Sequence, residues 1–254
     1  MKAKKLLCAV DKSVSALNAI WFAKAWAERH QMTVNIIHSV GNEKLKPEII
    51  NTAKREMVEF MAQNNITDPV EFVSGEVCDV VNELKYDYNL IVMGKKGANH
   101  TNKYYGSNAA QVIQTIDLPV FLICETPSDI AFKKILFITD FKDIEKEENL
   151  DTIRDLAMEN DSELHLLHIS GDGRTLSKQE VTEVRELHDI FEDVNHAYFA
   201  LESDDIIKGI KEHIKIHNPS LLVLIPRRTT RLSSTLSQAI VDTDINLPIF
   251  SIHA

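Results

Sequence analysis

Cysteine is scarce: the 254 residues hold three, Cys8, Cys78 and Cys124. They lie far apart and form no C-x-x-C, which argues against a disulfide framework and suits small buried apolar residues in a reducing compartment. No Cys/His cluster has zinc-ligand spacing. Long apolar runs are also missing, and nothing approaches the roughly 20 residues that span a bilayer. The basic start Met1-Lys2-Ala3-Lys4-Lys5 leads into an apolar run that ends at Val10 and is broken by Asp11. That is too short for a secretory signal, so a cytoplasmic protein without a membrane partner is expected. Excess positive charge is lacking as well. Residues 1–126 carry 14 basic and 14 acidic side chains and residues 127–254 carry 14 and 24, so the net charge of −10 sits in the second half and argues against nucleic acid as a partner. There is no G-x-S-x-G elbow, no Walker loop, no G-x-G-x-x-G and no carboxylate pair plainly poised for acid–base work, so no catalytic residue is assigned.

What is present centres on Leu90-Ile91-Val92-Met93-Gly94-Lys95-Lys96-Gly97, followed by Gly106-Ser107. The apolar run is too short for a helix and reads as a buried parallel strand. Glycines just beyond a strand let a backbone pass close to a ligand, and free N–H groups at the next helix start can bind an anion. Lys95, Lys96 and Lys103 can screen phosphate charge there or stand as solvated loop lysines, and His100 reads as solvent-exposed.

Strands and helices alternate around this loop. Lys5–Val10, Thr33–Val40, Val70–Val73, Leu90–Met93 and Pro119–Cys124 read as strands. Between them come a helix capped by Ser13 or Ser15 with Leu17, Ile20, Trp21 and Ala25 on its apolar face, and a second from Pro47 to Gln63 facing inward with Ile50, Ala53, Met57 and Phe60. Val77, Val80, Val81 and Leu84 mark a third, and Ala109, Val112, Ile113 and Ile116 a fourth. Such alternation implies parallel pairing in an α/β sandwich. After the polar break Glu125–Asp129 the pattern restarts. Lys134–Asp140 repeats the first strand, and Asp140 falls 129 residues after Asp11. Leu164–His168 echoes Val34–His38, Leu221–Ile225 echoes Leu90–Met93, and Leu247–Phe250 echoes Leu118–Phe121. Matched landmarks in one order argue for two copies, residues 1–126 and 132–254. The second copy has Pro226 where Gly94 stands, Thr229 for Gly97 and Thr235-Leu236 for Gly106-Ser107. Arg227, Arg228 and Arg231 remain as charges, but a proline has no N–H for a phosphate.

The spacing Gly94-x2-Gly97-x8-Gly106-Ser107, with Leu6–Asp11 upstream and Leu118–Ile123 downstream, resembles the nucleotide-binding signature of the universal stress protein family, one residue shorter in the loop. The resemblance implies an adenine nucleotide alpha hydrolase-like α/β fold in two repeated five-stranded parallel-sheet domains. It also implies that these pack as an intrachain pseudo-dimer through their fifth strands, with a homodimer of chains left open. It places ATP or a related adenine nucleotide, with Mg²⁺ as its companion, against Ala9, Val10, Asp11, Ser39, Val40, Met93, Gly94, Gly97, Gly106, Ser107 and Asn108. Within that set Asp11 lies by the adenosine portion and Ser39 and Val40 line the base pocket. The alternative for Asp11 is a helix cap. The expected function is nucleotide-responsive stress regulation through an unidentified protein partner, with the second copy a degenerate packing partner. The alternatives are a scaffold with a vestigial loop, which the shortened loop and Asn108 favour, and a slow ATP hydrolase. The Ser-Gly-Gly-x-Asp-Ser loop of related adenylating enzymes is absent. His165 and His168 alternate to opposite strand faces, so with His38 they predict no shared ion, and no metal site is assigned. Asp143–Asp151 reads as a solvated helix start.

Overall fold

Short apolar runs, Leu6–Ala9, Leu90–Met93 and Val120–Ile123, form the buried middle of the first sheet, as strands covered on both sides must. The structure is a computed structural model that describes residues 4–41, 46–96, 108–127, 129–139, 149–170, 178–226, 239–241 and 243–252. Gly97, His100, Lys103, Gly106, Ser107, Asp140, Arg227, Arg228, Thr229, Arg231, Thr235 and Leu236 lie outside the described residues, as does the acidic stretch up to Glu148. The chain divides into two compact units, Met1–Ile130 and Ala131–Ala254.

In the first unit the strands are Lys5–Ala9 (β1), Thr33–Ser39 (β2), Val70–Val73 (β3), Leu90–Gly94 (β4) and Val120–Ile123 (β5). They lie in the order β3-β2-β1-β4-β5 and pair in parallel throughout. The chain steps outward from β1 through β2 to β3, then crosses back to β4 on the other side of β1. Beyond the carboxyl ends of β1 and β4 the connections diverge, and such a switch point leaves a crevice for a ligand.

Helix α1 (Val14–His30) starts where Ser13, extended at φ −91°, accepts the Ala16 N–H on its side chain, and ends at Gln31 in the left-handed conformation. The sequence reading chose Leu17, Ile20, Trp21 and Ala25 as its inner face. Only Ile20 is fully buried, and Trp21 is 47% exposed. The buried face is instead Ser15, Ala16, Ala19, Ile20, Phe22, Ala23, Trp26 and Ala27. Four alanines let the helix axis approach the sheet closely, so the small side chains, not the bulkiest, mark the contact. Phe22 and Trp26 fill the remaining space against Phe121, at centroid distances of 4.9 and 4.8 Å. Helix α2 (Pro47–Gln63) has proline at its start, where the missing N–H costs nothing, and buries Met57 and Met61. Helix α3 (Val77–Leu84) and helix α4 (Asn108–Thr115) bury Val80, Val81, Ala109, Ala110, Val112 and Ile113.

The second unit has strands Lys134–Ile138 (β6), Glu163–Ser170 (β7), His196–Glu202 (β8), Leu221–Leu224 (β9) and Ile249–Ser251 (β10). Their order is β8-β7-β6-β9-β10, again parallel. This is the topology of the first unit. Helices α5 (Leu150–Asn160), α6 (Lys178–Ile190) and α7 (Ile206–His217) make the crossovers among the described residues.

One correspondence between the units changes. Ile91 N–H donates to Pro119 O at 3.0 Å, and Leu222 N–H donates to Pro248 O at 3.0 Å. The ladders match Gly94 with Ile123 and, two residues beyond the Leu222–Ile249 pair, carry Leu224 to Ser251. Counting from these bonds, Ile225 and not Pro226 takes the place of Gly94, and Pro226 takes that of Lys95. The sequence comparison slipped by one residue because it aligned apolar runs of unequal length.

Candidate functional site

The carboxyl ends of β1, β2 and β4 and the amino ends of α3 and α4 enclose a cavity of about 240 Å³. Ala9, Val10, Asp11, Ser39, Met93, Gly94 and Asn108 line it, together with Ala16, His38, Gly41, Glu76, Val77, Lys95 and Ala109. Seven residues expected from the sequence thus meet at one cavity. Val40 does not line it. That side chain is buried and its N–H extends the ladder to Val73 O at 2.9 Å, so Val40 belongs to the core beside β3.

Asp11 is half-buried, and its Oδ1 accepts the Ser13 N–H at 2.9 Å. That bond shapes the turn into α1, while Ser13 itself caps the helix. The carboxylate therefore contributes to the turn and also faces the cavity. His38 Nδ1 lies 2.7 Å from Val10 O, and its ring meets Phe72 edge-on. The Ser39 hydroxyl donates to Gly75 O, and Gly41 and Gly75 pair as an isolated bridge with Gly75 N–H to Gly41 O at 2.7 Å. Both glycines hold positive φ, 83° and 123°, a conformation glycine adopts freely, and Gly41 lines the cavity.

Gly94 has a structural duty of its own. A Cβ there would lie 2.6 Å from Ser15 Oγ and 2.9 Å from Ala16 N. Next to it the Ser15 hydroxyl donates to Lys96 O, and Lys95 N–H donates to Ile123 O at 2.8 Å. The start of α1 is thereby fixed against the end of β4. Lys95 is 2% exposed, so it is not a solvated loop lysine, and it borders the cavity. Below it, burial pushes the Cys124 thiol up to about 11, although Lys95 and Lys96 pull the other way. Cys8, in the central strand, is raised further by burial alone.

Of the lining residues, His38, Gly41 and Glu76 are not among the nucleotide-binding positions expected from the sequence, and Lys95 is expected only as a screening charge or a solvated loop lysine. Their signal was positional: each flanks a strand end or helix start at the same sheet edge, which only the sheet order makes evident.

A parallel sheet of this strand order, with a cavity at its switch point, defines a doubly wound α/β unit. The model of the universal stress protein family matches residues 2–123, nearly the whole of the first unit. Two solved structures share the fold across the chain. A universal stress protein from Archaeoglobus fulgidus DSM 4304 is 16% identical, with 100% of this chain and 99% of that one covered at a TM-score of 0.71. A functionally unknown protein from Pseudomonas aeruginosa PAO1 is 13% identical, with 99% and 93% covered at 0.65. No curated protein matches the chain.

Among the described residues of the second unit, a separate polar cluster lies between β7 and α7. His165 is fully buried, and its Nδ1 is 2.9 Å from His213 Nε2. The His165 ring lies within 5.0 Å of the His217 ring, and Phe199 packs on all three imidazoles. His168 points elsewhere, with Nδ1 3.3 Å from Thr139 O, as strand alternation requires. Burial pulls the His213 pKa down to about 4, with the neighbouring His217, His165 and Lys134 adding to the fall.

Proposed function

We propose that the first unit binds ATP or a related adenine nucleotide, and that this binding makes the chain a nucleotide-responsive stress regulator. The observation that carries the reading is the meeting of Asp11, Ser39, Gly94 and Asn108 at one cavity on the switch-point edge of a universal stress protein domain. At about 240 Å³ the described cavity is near the lower end, roughly 300 Å³, of small-molecule pockets and suits the nucleoside portion. Asp11 can accept hydrogen bonds from a ribose, and Lys95 supplies positive charge on the path toward the glycine-rich segment. In this reading the second unit is a degenerate copy of the first. Nucleotide favours the form of the first unit that a protein partner reads. Such coupling requires that nucleotide bind that form more tightly than the alternative.

A scaffold role is the second reading, and the close packing of Gly94 against Ser15 favours it, because that glycine is required with or without a ligand. Mass spectrometry of small molecules released by denaturing the purified chain separates the two. An adenine nucleotide near one equivalent per chain is expected. No nucleotide, together with no calorimetric response to added ATP and Mg²⁺, would overturn the proposal. Phosphate release measured over hours then distinguishes a binder from a slow hydrolase.

A further inference from the structure

We infer that His165, His213 and His217 form a binding site for a zinc-class divalent transition-metal ion in the second unit, independent of the nucleotide reading. One ligand nitrogen from each residue lies within 4.8 Å of the others. His213 and His217 are four apart on α7 and so share a face, and His165 meets them from β7. Zinc–imidazole bonds of about 2.0–2.1 Å arranged tetrahedrally need ligand nitrogens about 3.3 Å apart. The 2.9 Å contact between His165 and His213 opens slightly and the wider separations close, all within the reach of side-chain rotation.

Several features fit a metal better than plain packing. Two of the three imidazoles are 0% and 1% exposed, and buried polar rings cost more than apolar ones of similar size. His165 Nε2 is buried without a well-aligned hydrogen bond, although Glu163 Oε1 lies 3.0 Å away. That carboxylate favours the proton on Nε2 and turns the Nδ1 lone pair toward His213, the arrangement by which an outer carboxylate orients a metal-bound imidazole. Burial disfavours the charged forms of His165 and His213, and neutral imidazole is the ligand form. Lys134, 3.2 Å from the other Glu163 oxygen, opposes a cation, and the Glu163 charge offsets it. The backbone brings the elements close: a Cβ on Gly209, one turn before His213, would lie 3.0 Å from Ile169 Cδ1 of β7. His217 is only half-buried and gives the ion a way in, and the fourth coordination position is left to water. With no cysteine in the set, imidazole nitrogen selects zinc, cobalt or nickel over calcium or magnesium.

The test uses the full-length, untagged chain, stripped with EDTA and titrated with Co²⁺ and Zn²⁺ without nucleotide. One equivalent of Co²⁺ with a visible four-coordinate absorption band, displaced by Zn²⁺, is expected. His165→Asn should abolish the band. His217→Gln, at the half-exposed position, should keep a native circular dichroism spectrum while losing at least tenfold in affinity, and Glu163→Gln should lose roughly 10- to 100-fold. Absence of stoichiometric binding would overturn the inference, as would unchanged affinity in folded His217→Gln.

Discussion

At the scale of single residues, Gly94 shows how a ligand motif and a packing constraint coincide. A methyl group there meets backbone and side-chain atoms of α1 at 2.6–3.0 Å, so Gly94→Ala must push the helix start away from the sheet. Overpacking of this kind costs about 1–3 kcal/mol. Urea unfolding should show that loss even without nucleotide, and an unchanged midpoint would mean that the contact relaxes freely. Asp11→Ala should weaken nucleotide binding by about 1–3 kcal/mol, read by calorimetry, because the carboxylate faces the cavity. It should also cost a modest amount of stability through its bond to Ser13 N. Loss of stability with full nucleotide affinity would reduce Asp11 to a turn residue. The cysteines offer a third test. The thiolate is the reactive form, and burial raises the Cys8 and Cys124 pKa values, so both stay protonated at pH 8. Cys78 is only half-buried, beside Thr115. An aromatic disulfide reagent should label one thiol in the native chain and three after denaturation. Rapid labelling of three in native buffer would contradict the burial of Cys8 in β1 and of Cys124 just beyond β5.

The elements were unevenly legible in the sequence. Helix α2 runs from Pro47 to Gln63 as its pattern predicts, because Ile50, Ala53, Met57 and Phe60 stand out from a polar background and proline marks the start. Strands β1, β2, β4 and β5 were equally plain as apolar runs, with bounds within a residue or two of those observed. The inner face of α1 was misread, since its contact with the sheet is made by Ala16, Ala19, Ala23 and Ala27, whose side chains carry little hydrophobic weight. The sequence marks neither strand β8 nor helices α6 and α7, and of α5 it marks only the acidic start. In β8 the residues from His196 to Glu202 are mostly half-buried, and the apolar run Ala197–Leu201 is diluted by two alanines and flanked by polar residues. The histidine cluster was missed for a related reason. Strand alternation correctly separated His165 from His168, but the true neighbours of His165 lie 48 and 52 positions on, on a helix whose approach only the fold reveals. The α1 start gives a prediction at this scale. Ser13 supplies the cap, so Ser13→Ala should cost about 1 kcal/mol in thermal or urea unfolding. Ser13→Asp should restore most of it, whereas equal loss in both variants would assign the effect to the Ser13–Ser15 hydroxyl contact rather than to capping.

Across the whole chain the two units repeat one strand order and differ where the first has its cavity. In the first unit β4 ends in Gly94, and Lys95 continues the ladder through its N–H to Ile123. Ile225 and Pro226 occupy those places in the second unit. Isoleucine brings a branched side chain where glycine leaves room, and proline has no N–H for a ladder or a phosphate. The charge is divided in the same sense: the acidic excess lies in residues 127–254, which disfavours a polyanionic ligand there. Nucleotide should therefore bind with a stoichiometry of one per chain, in the first unit. Isothermal titration of the nucleotide-free chain with ATP and Mg²⁺ reads this directly. Gly106→Val, crowding the approach of a phosphate to the glycine-rich segment, should remove the single binding event, while Ile225→Gly should add no second one. The latter follows because restoring one glycine leaves Pro226 in place of an N–H-bearing residue. Two equivalent sites per chain, or full binding in Gly106→Val, would show that the difference between the units does not govern nucleotide binding.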